Sequence, residues 1–131
     1  MYEEHKDISV LVGKTVTNIT PLDAVGEEEL VFTCSDGSRY KMFHDRDCCE
    51  SVSIDDVVGD LRWLLDTPIV SAEEVSNAEE LAKDTSGDSY TWTFYNISTN
   101  RGTVTLKWYG TSNGYYSEGV DFVQLPFKSP F

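Results

Sequence analysis

Two runs of the chain, Tyr90 to Thr99 and Thr103 to Tyr109, are long, aromatic and Thr-rich, and only Asn100-Arg101-Gly102 separates them. β-Branched and aromatic side chains suit a pleated, half-buried surface, and a Gly-containing turn between two such runs is the pattern of a β-hairpin. Asn113-Gly114 marks a further reversal before Val120 to Leu125, so this half of the chain reads as an antiparallel meander. Upstream, Leu30 to Cys34 and Arg39 to His44 flank Ser35-Asp36-Gly37-Ser38. Asp-Gly between β-prone runs is the strongest short-range hairpin signal, and a two-residue loop would set Cys34 opposite Arg39. Lys14 to Thr20 alternates up to Pro21 and reads as the first full strand, while Ile8 to Val12 reads as a helical turn capped by Gly13 or as an edge strand.

One segment carries helical signals. Ser53-Ile54-Asp55-Asp56 places a capping Ser and two acids where a helix dipole favours negative charge, and Val57, Val58, Leu61, Leu64 and Leu65 follow at helical spacing before Pro68. Ile69 to Val75 reads as another strand, and residues 78–89 as an acidic surface loop. The expected fold is therefore α+β: a single domain over residues 1–131, with a twisted antiparallel sheet of about six strands and one main α-helix packed on it.

A chain of 131 residues buries roughly two-thirds of the surface that its unfolded form exposes, enough for one real core. No apolar stretch approaches the ~20 residues of a membrane span. The start Met1-Tyr2-Glu3-Glu4-His5-Lys6 has neither the basic beginning nor the apolar centre of a signal peptide, and three cysteines, two of them adjacent, make a poor disulfide framework. A reducing cytoplasm is the expected location. The net charge of −13, from 23 acidic and 10 basic residues, disfavours direct contact with nucleic-acid phosphates and suits either solubility or an acidic face for a basic partner.

Phe43-His44-Asp45-Arg46-Asp47-Cys48-Cys49-Glu50 crowds one His, three carboxylates and two thiols into eight positions. Imidazole, thiolate and carboxylate are all zinc ligands, but adjacent side chains on an extended strand diverge and the hairpin holds Cys34 far away, so neither a metal nor a disulfide is expected. The surrounding acids also disfavour a reactive thiolate; one cysteine is expected to be buried against the helix, the other to face the polar site. Gly13-Lys14-Thr15 imitates the end of a phosphate-binding loop, but Ile8 stands where such a loop needs Gly. No catalytic constellation is complete, and no cofactor is implied. A second run, Trp108-Tyr109-Gly110-Thr111-Ser112-Asn113-Gly114-Tyr115-Tyr116-Ser117-Glu118, reads either as a packed hairpin or as a contact surface. Trp108, Asn113, Tyr115 and Tyr116 are its candidates, since Tyr and Trp recur at binding hot spots.

These two runs, together with Tyr90-Thr91-Trp92-Thr93-Phe94-Tyr95, resemble a family of short bacteriophage and bacterial proteins that is a domain of unknown function. The resemblance spans Gly13 to Phe122. It implies a phage or prophage context, in which small acidic cytoplasmic proteins block defence nucleases, mimic nucleic acid or sequester a signalling nucleotide. The leading expectation is a non-enzymatic, counter-defence (anti-CRISPR-like) inhibitor in the host cytoplasm that binds neither nucleic acid nor membrane. Its acidic surface would block a basic, nucleic-acid-handling host or defence-system protein. Asp45, Asp47, Glu50, Asp55, Asp56 and Asp60, with His44 beside them, form the expected negative patch. The alternative is a homo-oligomer that sequesters a nucleotide messenger, stacking it on Trp108, Tyr115 or Tyr116 and meeting phosphate with Arg46, Arg101 or Lys107. A third reading is a metal- or His44-dependent hydrolase. A compact meander would also bring the two runs to one edge of the sheet.

Overall fold

The computed structural model of the protein describes residues 4–45, 50–77, 89–112 and 118–126. Its strands are β1 (Glu4–His5), β2 (Val16–Thr20), β3 (Glu29–Cys34), β4 (Arg39–Phe43), β5 (Ser51–Val58), β6 (Ser71–Asn77), β7 (Ser89–Thr99), β8 (Gly102–Ser112) and β9 (Asp121–Leu125). They form a five-stranded sheet of order β1-β9-β4-β3-β2 and a four-stranded sheet of order β5-β8-β7-β6, with every strand pairing antiparallel.

Alternation puts one face of each sheet inside. Along β8, Val104, Leu106, Trp108 and Gly110 are buried while the residues between them are half-buried or exposed, and β3 and β4 bury Leu30, Phe32, Tyr40 and Met42 in the same way. All of these but Gly110 belong to one hydrophobic cluster drawn from both sheets. Trp108 is its largest fully buried side chain, and its indole Nε1 donates to Met42 Sδ of the other sheet at 3.1 Å. A buried Trp needs a partner for its N–H, and here a polarisable thioether supplies one.

The expected α+β fold is corrected to a two-sheet β architecture, with no α-helix among the described residues. The segment read as a helix divides in two. Ser51–Val58 is β5, with Val52 and Ile54 pointing inward at strand spacing; Gly59, at φ +96°, then turns the chain into a 3-10 turn, Leu61–Leu64, that buries Leu61 and Leu64. The capping residue is Asp60, whose side chain accepts from Arg62 N, rather than Ser53. Helical spacing was imitated by an inward strand residue followed by an i, i+3 pair on a 3-10 turn.

The β3–β4 hairpin forms, but Thr33 rather than Cys34 pairs with Arg39. Gly37, at φ +90°, donates its N–H to Cys34 O and lengthens the loop by one residue. The β7–β8 hairpin closes with Thr99 opposite Gly102. The single meander is corrected as well: β9 crosses to pair with β4 and β1, and β5 leaves its sequence neighbours to pair with β8. The first apolar stretch is a 3-10 turn, Ile8–Leu11, capped by Asp7. The expected acidic loop falls at residues 78–88, outside the described residues, and Ser89 already belongs to β7.

Candidate functional site

His44 follows the last residue of β4, and Glu50 precedes the first of β5. The strands leading to them set the ring and the carboxylate face to face: His44 Nε2 lies 2.8 Å from Glu50 Oε2, while Nδ1 lies 2.7 Å from the carbonyl oxygen of Gly119. Both side chains are withdrawn from water, with 6% and 0% of their surface exposed. A carbonyl can only accept, so Nδ1 carries a proton, and a further proton lies between Nε2 and the Glu50 carboxylate. The unit is either imidazolium with carboxylate or imidazole with carboxylic acid; in both forms each ring nitrogen is occupied.

A second buried carboxylate stands nearby in the fold. Glu118 accepts from Thr91 Oγ1 at 2.7 Å and from Ser112 Oγ. Ser51 pairs with Thr111, so the Glu50 end of β5 and the Ser112 end of β8 are adjacent. The Glu118 segment lies directly on β8 because Gly110 has no side chain: a Cβ there would fall 2.7 Å from Glu118 O and 3.0 Å from Val52 Cγ2. Glycine within a strand often marks such a close approach of another backbone. Asp45 N also donates to Asp121 Oδ2 at 2.9 Å. Residues on either side of the two motif runs are thus joined at one end of the fold, through His44, Asp45, Glu118, Gly119 and Asp121.

Among the described residues, a cavity of about 40 Å³ lies between Glu28, His44, Glu50, Ser51 and Val52, room for roughly one to three waters. Among the described residues no group of three His, Cys, Asp or Glu is arranged to hold a metal. A larger depression, about 380 Å³, lies at the opposite end of the β3–β4 hairpin, beside Lys14, Thr15 and Asp36. There Lys14 Nζ is already held by Asp36 Oδ2 at 2.6 Å.

The expected site residues separate into several groups. Glu50 is an internal strut rather than part of a surface patch, because its carboxylate is committed to His44. Trp108 is corrected from contact surface to core, since strand parity points it inward and Tyr109 outward. Asp45, Asp55 and Asp56 are exposed, and Asp60 caps the second 3-10 turn. Arg101 lies in the β7–β8 turn and Lys107 midway along β8, so these two cations do not converge on a pocket. Asp47, Cys48, Cys49, Asn113, Tyr115 and Tyr116, like Arg46, lie outside the described residues.

Sequence reasoning missed the loop before β3 as a part of this region. Gly26 N donates to Ile54 O at 2.7 Å, and Ile54 N to Glu27 O at 2.9 Å, which ties the loop to β5. Glu29 pairs with Phe43, and Glu28 lines the His44 cavity. The backbone at exposed Glu27 is thereby tied to Ile54, next to exposed Asp55 and Asp56, and exposed Glu29 pairs with Phe43, two residues before exposed Asp45. The acidic run 27–29 was itself a legible signal; its attachment to β5 was not.

No helix among the described residues is long and apolar enough to cross a membrane. Residues 9–122 match a family model described as a domain of unknown function, DUF7448. No curated protein and no solved structure matches the chain.

Proposed function

We propose, for a chain that belongs to the DUF7448 family, a non-enzymatic binding role in which its acidic flank docks on a basic, nucleic-acid-handling host or defence-system protein. The observation that carries this reading is six exposed carboxylates on three segments, residues 27–29, Asp45 and residues 55–56, whose backbones are linked to one another. The loop–β5 hydrogen bonds and the β3–β4 register hold these segments together. Such an acidic surface steers a cationic partner at low salt and repels nucleic acid itself. The buried polar groups nearby are committed internally, His44 to Glu50 and Gly119 O, and Glu118 to Thr91 and Ser112. The resemblance of the motif runs to small phage proteins supports a counter-defence setting in the cytoplasm of a bacterial host.

The test is capture from a bacterial lysate on the immobilised full chain at about 50 mM salt, where the Debye length exceeds ~10 Å. A basic protein retained at low salt and released at high salt is the expected result. Retention of nothing, or retention indifferent to salt, refutes the role.

A further inference from the structure

The outward face of the four-stranded sheet is aromatic where a solvent-facing antiparallel sheet is ordinarily polar. Tyr90, Trp92 and Phe94 of β7 and Tyr109 of β8 alternate with the buried positions and are half-buried. Their rings form one contiguous group: Trp92 lies 4.6 Å from Tyr109 and 6.1 Å from Phe94 between centroids, the latter pair with parallel planes, and Tyr90 lies 5.9 Å from Tyr109. Val75 of β6, 44% exposed, is in register with Phe94 and extends the patch. Core packing does not account for these rings, because the opposite face of the same strands supplies the core through Tyr95, Ile97, Leu106 and Trp108. A contiguous patch of this kind on a soluble domain marks an interaction site more often than chance.

The flanking charges select the occupant. Asp56 of β5 borders the patch on one side, and Glu73 of β6 lies past Phe94 on the other, where it accepts from Asn96 Nδ2 at 3.3 Å; both are exposed. Lys107, in register with Asp56 and Phe94, is a cation on the same face, set within a chain of net charge −13. A flat aromatic group between carboxylates suits a planar cation better than a point charge, because a guanidinium stacks on a ring and forks onto a carboxylate at once. We propose that this face receives an arginine-bearing segment of a protein partner, stacked on Trp92 and Tyr109 and paired with Asp56, the carboxylate diagonal to Tyr109 across β5 and β8. The proposal rests on the basic-partner reading above for the partner's charge, and it adds the surface and the residue type that the partner contributes.

The experiment titrates the full-length, ¹⁵N-labelled protein with two synthetic peptides, identical Gly/Ser octapeptides carrying four Arg or four Lys, and follows the indole resonances of Trp92 and Trp108. The Arg peptide should move Trp92, leave buried Trp108 in place, and bind at least about threefold tighter than the Lys peptide, as a cation–π contribution at a partly exposed site implies. Trp92→Leu should abolish that preference. Tyr109→Leu should reduce it, and serves if the first variant does not fold, as judged by the Trp108 resonance. Equal affinity for the two peptides, or a Trp92 resonance unmoved by either at millimolar concentration, overturns the proposal, as does movement of Trp92 by neutral cellohexaose but not by the peptides. The two readings fail separately. Equal Arg and Lys affinities with lysate capture intact remove this face and leave the flank standing. An Arg preference that persists when neutralising Glu27 and Glu28 has no effect on capture removes the flank and leaves this face.

Discussion

Gly110→Ala isolates the contact on which the buried cluster depends. The new Cβ would fall 2.7 Å from Glu118 O, a backbone atom, with Glu118 Cβ and Val52 Cγ2 each 3.0 Å away. Three neighbours at or inside 3.0 Å cannot be relieved by one rotamer change, so the Glu118 segment must lift from β8 or β8 must bend. Overpacking of this kind costs typically 1–3 kcal/mol. Displacing Glu118 also strains its hydrogen bonds from Thr91 and Ser112, and a hydrogen bond to a charged group contributes about 1.5–3 kcal/mol when fully lost. With those bonds weakened rather than broken, the expected loss is about 2–4 kcal/mol. For a chain of this length that lowers Tm by about 8–16 °C. Urea unfolding followed by tryptophan fluorescence measures it, with Gly13→Ala as the control. Gly13, unlike Gly110, has a positive φ, +88°, but nothing lies within 4 Å of its Cβ position, so it should lose only about 1–2 kcal/mol. If Gly110→Ala loses less than Gly13→Ala, the close approach of the Glu118 segment does not constrain the fold and the reasoning fails.

Glu50→Ala should destabilise by about 3–5 kcal/mol, because it leaves the buried His44 Nε2 without its carboxylate. Glu50→Gln, which keeps an acceptor, should lose clearly less, and urea midpoints give the order. The Lys14 ammonium, followed by the Ser38 hydroxyl and N–H, holds the Asp36 carboxyl well below the usual carboxylate range. A lowered folded value stabilises above the unfolded value, near pH 4, and the contribution is lost as pH falls through the folded one. Asp36→Asn should therefore narrow the difference between urea midpoints at pH 7 and pH 2.5; because the carboxylate is exposed, 0.5 M salt should shrink the effect. Burial pushes the Cys34 thiol up, so peptide mapping after iodoacetamide at pH 8 should find Cys34 unmodified in native protein and alkylated in urea.

The hairpins were legible because their signals are local. Asp36-Gly37 and Asn100-Arg101-Gly102 each determine a turn within a few residues, and the strands on either side follow. The second sheet and the place of β9 were not legible, because pairing β5 with β8 and β9 with β4 depends on contacts between segments more than 45 residues apart in sequence. The false helix arose where Val57, Leu61 and Leu64 reproduce helical spacing although Gly59 divides a strand from a 3-10 turn. At the site, the eight-residue run 43–50 contains both His44 and Glu50, which the fold pairs with each other inside rather than on a surface patch. Their partners, Gly119 O and the segment lying on Gly110, are tertiary facts. Trp108 and Tyr109 show how little separates the two outcomes: one step along a strand exchanges core for surface, and only the register decides which ring goes where.

The acidic flank is tested most directly by two variants of equal net charge. Glu27→Gln/Glu28→Gln neutralises the loop that is tied to β5, whereas Asp66→Asn/Glu74→Gln removes the same charge from exposed positions elsewhere. The measurement is the dissociation constant of each for the basic protein captured by the wild-type chain, at 50 mM and 200 mM salt. The flank variant should bind at least about tenfold more weakly at low salt and show a shallower salt dependence, while the second variant stays within about twofold of wild type. Equal weakening of both would mean that net charge alone attracts the partner, and would contradict a binding surface at this flank.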